Sequence, residues 1–308
     1  MRPDGFLLQQ SMGRVASSVR QATVTIRSAA EADAEACGRI IYEAFKGVAE
    51  RHAFPPDFPS AQAATGLARH FIRHPAIFGV VAERNGRIIG SNFLDERDAI
   101  RGVGPITVDP HGQRAGVGRR LMQAVLERGR KAAGIRLVQD AFNLTSHSLY
   151  ASLGFEVKEP LMLMQGKPTS PPPAKMKVWP MGAEDVTACN KLCARIHGFA
   201  RANELRDAIQ AFKPFVALRG GRIRAYLSSA TFWPLNHGVA EREEDMRALL
   251  LGAAAAMTEP LTLLVPTRRA SLLRWCLSEG LRSVKPMTLM AIGAYREPRG
   301  CYFPSVAY

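Results

Sequence analysis

A proline-rich stretch, "GKPTSPPPAKMK" (residues 166–177), divides this 308-residue chain into two parts that resemble each other. Proline fixes φ and has no backbone N–H. Pro168, Pro171, Pro172 and Pro173 therefore neither extend a helix nor enter a central strand, and the stretch reads as a semi-rigid linker. Three short segments recur in the same order on either side of it. "AAEADAEAC" (29–37) matches "MGAEDVTAC" (181–189), an acidic helix start in which Asp33 corresponds to Asp185. "VAERNGRI" (81–88) matches "VALRGGRI" (216–223), a hairpin with Asn85-Gly86 or Gly220-Gly221 as its two-residue turn. "SLYASLGF" (148–155) matches "RWCLSEGL" (274–281), a helix that stops at glycine. Three ordered matches imply an internal duplication, so the chain is expected to fold as two copies of one unit. The boundaries are a mobile N-terminal tail at 1–22, a first domain at 23–165, the linker at 166–177 and a second domain at 178–308.

The pattern of apolar residues in the first copy predicts a strand at 24–27 and helices at 31–49 and 62–74. A hairpin follows at 78–84 and 87–94, then a strand ending at Val108 and a helix at 116–133. A strand at 137–141, a helix at 146–153 and a strand after Phe155 complete it. Hairpins combined with a β–α–β stretch give an α/β (α+β) class: a mixed, mostly antiparallel sheet with helices on both faces.

Composition narrows the partners. Hydrophobic residues make up 47% of the chain, enough for a core in each half, and the formal net charge is +14. A basic surface favours anionic partners without choosing among them. No Lys/Arg block is interleaved with aromatics and no zinc-finger spacing occurs, so nucleic acid is not an expected partner. No apolar run reaches the ~18–20 residues of a membrane span. Five scattered cysteines, an odd number, fit a reduced cytoplasmic setting, with Cys189 and Cys193 on one core-facing side of a helix. His70 and His74 are followed at once by Pro75, and no metal site is expected. Monomer and homodimer both stay open.

Chemistry concentrates in "VDPHGQRAGVGRRLMQAV" (108–125). A strand end, a glycine-rich turn with positive charge and a helix start form an anion site, because the first helical N–H groups are unpaired. No Gly-Lys-Ser/Thr follows, so it is not a Walker loop. Leu121 stands where a dinucleotide fingerprint needs its third glycine. By itself the stretch could equally be a turn that only links strand to helix. However, Val108-Asp109-Pro110 followed by Gln113, Gly116 and Gly118 resembles the central motif of the GNAT superfamily of N-acetyltransferases. "NLTSHSLYASLGF" (143–155) resembles that family's second motif, with Asn143, Leu149, Tyr150, Gly154 and Phe155 in place and Ser146 replacing the usual alanine. The two motifs stand in the family's order, and the resemblance covers 23–165. The second half is reached only through the repeat.

The resemblance implies transfer of an acetyl group from acetyl-coenzyme A to an amine by direct attack, with a small-molecule acceptor ahead of a protein. Ile106, Thr107 and Val108 would pair with the amide arm of the co-substrate, and an N–H near Thr107 or Val108 would polarise the thioester carbonyl. Gln113, Arg114, Ala115, Gly116, Val117, Gly118 and Arg119 would surround the pyrophosphate. Asn143 and Ser146 would line the arm, and Tyr150 would be the general acid for the departing thiolate. Without the motif, Tyr150 reads as a core aromatic. The strand leading to Val108 carries no acid. Asp98, in "NFLDERDAI", is the candidate base, beside a water chain or an acid from elsewhere. In the second half "EREEDMRALLLGAAAAM" puts acids at the matching helix start, Cys276 stands at the Tyr150 position and Arg269 at about the Asn143 position. That half is expected to have kept the fold without the co-substrate site. The ending "RGCYFPSVAY" reads as a terminal strand or a pocket wall. The alternative function is a coenzyme-A-binding regulatory or scaffold protein without turnover.

Overall fold

A computed structural model describes residues 23–112 and 116–306. The expected tail at 1–22, and Gln113, Arg114 and Ala115, lie outside the described residues. The first half runs β1 (Thr25–Ser28), α1 (Ala34–Arg51), α2 (Ala61–Arg73), β2 (Ile77–Arg84), β3 (Arg87–Asp95), β4 (Ile100–Val103) and β5 (Thr107–Val108). It continues with α3 (Val117–Arg128), β6 (Gly134–Asp140), α4 (Leu144–Ser152) and β7 (Glu156–Gly166). The second half repeats the order: β8 (Lys177–Pro180), α5 (Val186–His197), α6 (Ala202–Ala211), β9 (Phe215–Arg219), β10 (Arg222–Leu227) and β11 (Gly238–Ala240). It ends with α7 (Glu243–Ala256), β12 (Leu261–Pro266), α8 (Ala270–Ser278), β13 (Arg282–Gly293) and β14 (Cys301–Phe303).

The sequence repeat is a repeat of local geometry. Asp33 and Asp185 each close a 3₁₀ turn ahead of a helix, their carboxylates accepting from the backbone N–H of Ala30 (2.8 Å) and Gly182 (3.0 Å). Both hairpin turns hold two successive residues at positive φ: Asn85 at 53° and Gly86 at 71°, Gly220 at 59° and Gly221 at 72°. That geometry matches the natural strand twist and admits chiefly Asn and Gly.

Helices cover both faces. Side chains alternate along β2: Val80 and Ala82 pack under α3 with Leu121, Met122 and Val125, whereas Val81 packs under α1 and α2 with Ile40, Ile41 and Ala68. In the second half Ala225 and Leu227 face α7, and Tyr226 faces α5 and α6. The α3 helix stops at Arg128, earlier than the apolar pattern predicted, because Gly129 caps it and the chain turns through 129–132. The linker is tied down: the Ser170 N–H and hydroxyl both donate to the Glu279 carboxylate (3.1 and 2.9 Å).

The two halves exchange strands. The larger sheet runs β1-β2-β3-β4-β6-β13-β7-β12, with β5 also on β3. Thus β13 of the second half inserts between β6 and β7, pairing Met287 with Asp140 on one side and Leu161 on the other. Reciprocally, β7 lies between β13 and β12. The remaining strands form a second sheet, β14-β11-β10-β9-β8.

Candidate active site

The strand expected to end at Val108 is broken. Pro105 offers no N–H, and the chain divides into β4 and β5 around Gly104-Pro105, both on β3. The β4 strand also pairs in parallel with β6, at Ile100–Gly102 against Gly134–Arg136. Among the described residues β5 pairs only with β3, so its other edge, carrying Thr107 and Val108, is left open.

A groove of about 380 Å³ opens along that edge. It brings together Ile106, Thr107, Val108, Gly116, Val117, Gly118, Arg119, Asn143, Ser146 and Tyr150, every described residue expected to contact the co-substrate or donate a proton. Gly116 is the N-cap of α3, at φ 69° and ψ 10°, with no side-chain cap and open space where a Cβ would be. Conformation, not crowding, requires glycine there. The first N–H groups of α3 are left for an anion. Arg119 donates to the Ser152 hydroxyl (2.6 Å) at the groove's side.

Asn143 caps α4, its Oδ1 accepting from the Ser146 N–H (3.2 Å). The Ser146 hydroxyl reaches Gln139 Oε1 (2.6 Å) and the Asn143 carbonyl (2.9 Å). Tyr150 is only 6% exposed, yet among the described residues its hydroxyl has no hydrogen-bond partner. Burial, then the nearby Asp140 carboxylate, pushes its phenol well above the ordinary value, so it stays protonated.

Tyr150 also lines a second cavity of about 140 Å³ behind the groove, together with Phe45, Ile106, Asp140, Asn143 and Ser146. The far wall of this cavity holds Asp57, Phe58 and Phe71, and from the second half Trp233, Leu235 and Val306. Of these residues the sequence reading included only Val306, within its pocket-wall reading of the ending. A buried lysine at the edge of this cavity, Lys285, was missed as well, although a lone charge in the apolar strand "SVKPMTLM" was a signal.

Asp98 does not join the site. Its carboxylate accepts from the N–H groups of Asn203 (3.3 Å) and Glu204 (3.2 Å), capping α6 from across the interface between the halves. Its place in sequence near β4 put it close to the reaction; the turn after β3 carries it away.

The matching place in the second half is filled. Edge strand β11 pairs with β14, residues Gly238, Val239 and Ala240 against Phe303, Tyr302 and Cys301. Arg269, at the N-cap position that Asn143 holds, donates to the carbonyls of Pro298 (3.2 Å) and Gly300 (2.8 Å). The first turn of α7 carries Glu243, Glu244 and Asp245. The C-terminal segment is both readings at once: β14 is a terminal strand, and Val306 beyond it is a wall of the first half's cavity.

Residues 41–155 match the acetyltransferase (GNAT) family. The match covers just over a third of the chain, the stretch that carries most of the groove. A solved structure of an acetyltransferase from Pyrococcus horikoshii superposes with a TM-score of 0.70 at 16% identity, covering 92% of this chain and 95% of that one. A GCN5-related N-acetyltransferase from Sphaerobacter thermophilus gives 0.59 at 15% identity, covering 89% and 96%. A tandem GNAT protein of the clavulanic acid biosynthesis pathway gives 0.56 at 14%, covering 88% and 98%. These likenesses are of fold, and the architecture is two GNAT-like halves. Comparison with curated proteins finds no match. No helix among the described residues is long and apolar enough to cross a membrane, and no group of three or more His, Cys, Asp or Glu among them is placed to hold a metal ion.

Proposed function

We propose that this chain moves an acetyl group from acetyl-coenzyme A to a small-molecule amine by direct attack, in the first half alone. The observation that carries this reading is the unpartnered hydroxyl of Tyr150, at the junction of the open-edged groove and the cavity behind it. The groove fits the co-substrate: the open edge of β5 suits its amide arm, and the start of α3 at Gly116 suits its pyrophosphate. An N–H of Thr107 or Val108 would polarise the thioester carbonyl, and Tyr150 would give its proton to the departing thiolate. The protein would act in the cytoplasm, on a soluble amine.

Titration calorimetry with acetyl-coenzyme A tests this. The wild type should bind one molecule per chain, and Gly116→Trp, which fills the open space at the α3 start, should lose that binding. No binding by the wild type, or equal binding by both, would overturn the proposal; two molecules per chain would overturn its restriction to the first half.

A further inference from the structure

The cavity behind Tyr150 holds a buried charge cluster built from three distant parts of the chain. Asp57 comes from the segment between α1 and α2, Asp140 from the end of β6, and Lys285 from the exchanged strand β13. Lys285 Nζ lies against Asp57 Oδ1 and at 2.6 Å from Asp140 Oδ1, and it sits 5.4 Å from the centre of the Trp233 ring. The three side chains are between 2% and 8% exposed. Both carboxylates line the cavity; the remaining wall is largely aromatic and aliphatic, with Phe45, Phe58, Phe71 and Leu235.

Two carboxylates against one ammonium leave one negative charge among largely buried side chains, which is costly unless a proton or another cation joins it. The other charged or titratable side chain facing the cluster is Tyr150, a neutral phenol. A second ammonium would balance the charge, and the amine that carries it would then lie beside the Tyr150 hydroxyl. The cavity, about 140 Å³, is close to the ~150 Å³ that holds one benzene ring in an engineered apolar cavity.

The geometry points to the Asp57–Lys285–Asp140 cluster as the acceptor site: it takes a compact primary amine as its ammonium, with a ring-sized apolar body, and receives that ammonium's first proton on the carboxylate pair. This rests on the acetyl-transfer reading above. Transfer from the ammonium to a carboxylate leaves a neutral amine and a carboxylic acid, whose proton then passes to solvent. The amine lone pair forms the C–N bond to the thioester carbon, and the C–S bond breaks. Tyr150 protonates the thiolate, and the second proton leaving nitrogen restores Tyr150. The sum is amide, free thiol and one proton released. Burial and the neighbouring Asp140 charge raise the Asp57 carboxyl, while Lys285 opposes that rise, so Asp57 takes up a proton more readily than an exposed acid would. Lys285 is a positioning residue: it holds two like charges together and sets their proton affinity.

The test compares phenethylamine, cationic at neutral pH, with O-benzylhydroxylamine, similar in shape but uncharged there. Release of free thiol is followed for wild type, Asp57→Asn, Asp140→Asn and Asp140→Glu, with acetyl-coenzyme A affinity measured alongside. The wild type should use phenethylamine. Each Asn variant should lose about 10²-fold or more in kcat/KM on phenethylamine, but less than about tenfold on the neutral amine. Acetyl-coenzyme A affinity should hold, and Asp140→Glu should recover part of the loss. Should Asp140→Asn fail to fold in a thermal melt, Asp57→Asn carries the same comparison. Equal losses on both amines, or none, would overturn the proton role. A wild type that acetylates other amines but neither probe would overturn the acceptor class. A wild type that binds no acetyl-coenzyme A would overturn the function itself.

Discussion

The two halves share one fold and differ at one edge. In the first, β5 leaves its outer side open and a groove runs along it; in the second, β14 pairs with the matching strand β11. The helix that starts beside each edge follows suit, opening at an uncapped glycine in α3 and at three acids in α7. A splayed sheet exposes unpaired N–H and C=O groups, and these need a partner. The first half leaves that position open, while the second fills it with β14.

The harshest way to break this comparison is to separate the halves. A fragment of residues 1–176 lacks β13 and leaves β6 and β7 with bare edges, so it should be insoluble or unfolded by circular dichroism. A soluble fragment that binds acetyl-coenzyme A would show the exchange to be dispensable.

Matched substitutions at the corresponding helices come next. Tyr150→Phe should lower kcat by about 10²–10⁴-fold while acetyl-coenzyme A affinity stays within a few-fold. Cys276→Ser, at the same place in α8, should leave kcat unchanged in the same thiol-release assay. Parallel effects would dissolve the functional difference between the halves.

The smallest effect is on stability. Asp33 accepts two bonds from Arg27 (2.7 and 2.9 Å) besides its turn contact, whereas Asp185 has the turn contact with Gly182. Asp185→Ala should cost about 1 kcal/mol in urea denaturation, and Asp33→Ala about 1 kcal/mol more. Hydrogen bonding from Arg27 holds the Asp33 carboxyl below its usual range. Its contribution is therefore complete above the unfolded pKa of ~3.9 and fades as pH falls through the lower folded value. Repeating the pair of measurements across acid pH should show the gap between the two variants closing; a constant gap would remove Arg27 from the account.

Much of this was readable in the chain. The repeat, both hairpin turns and the acidic helix starts are local, and each segment carries its own turn residues or period. Most of the groove was readable because its motif residues lie in two short stretches, 106–119 and 143–150, whereas its α1 wall, with Phe45 and Arg51, carries no such signal. The cavity behind the groove was not, because Asp57 and Lys285 are 228 residues apart and meet only through the strand exchange. Nothing in "SVKPMTLMAIG" states which half's edge it will join, since either antiparallel edge offers the same ladder. Asp98 misled for the opposite reason: proximity in sequence to β4 was taken as proximity in space, and a turn separates them.

The exchanged strand also bears on how the chain is made. Synthesis delivers β6 and β7 long before β13. Until then the nascent first half holds two adjacent strands that are not yet partners, with the gap between them unfilled. Folding as translation proceeds can finish the α1–α3 end of the molecule, but not the cavity that Asp57 and Asp140 share with Trp233. An incomplete product stalled before residue 282 would therefore be inert and prone to edge-to-edge association. The cavity behind the groove is therefore completed only after β13 has been made.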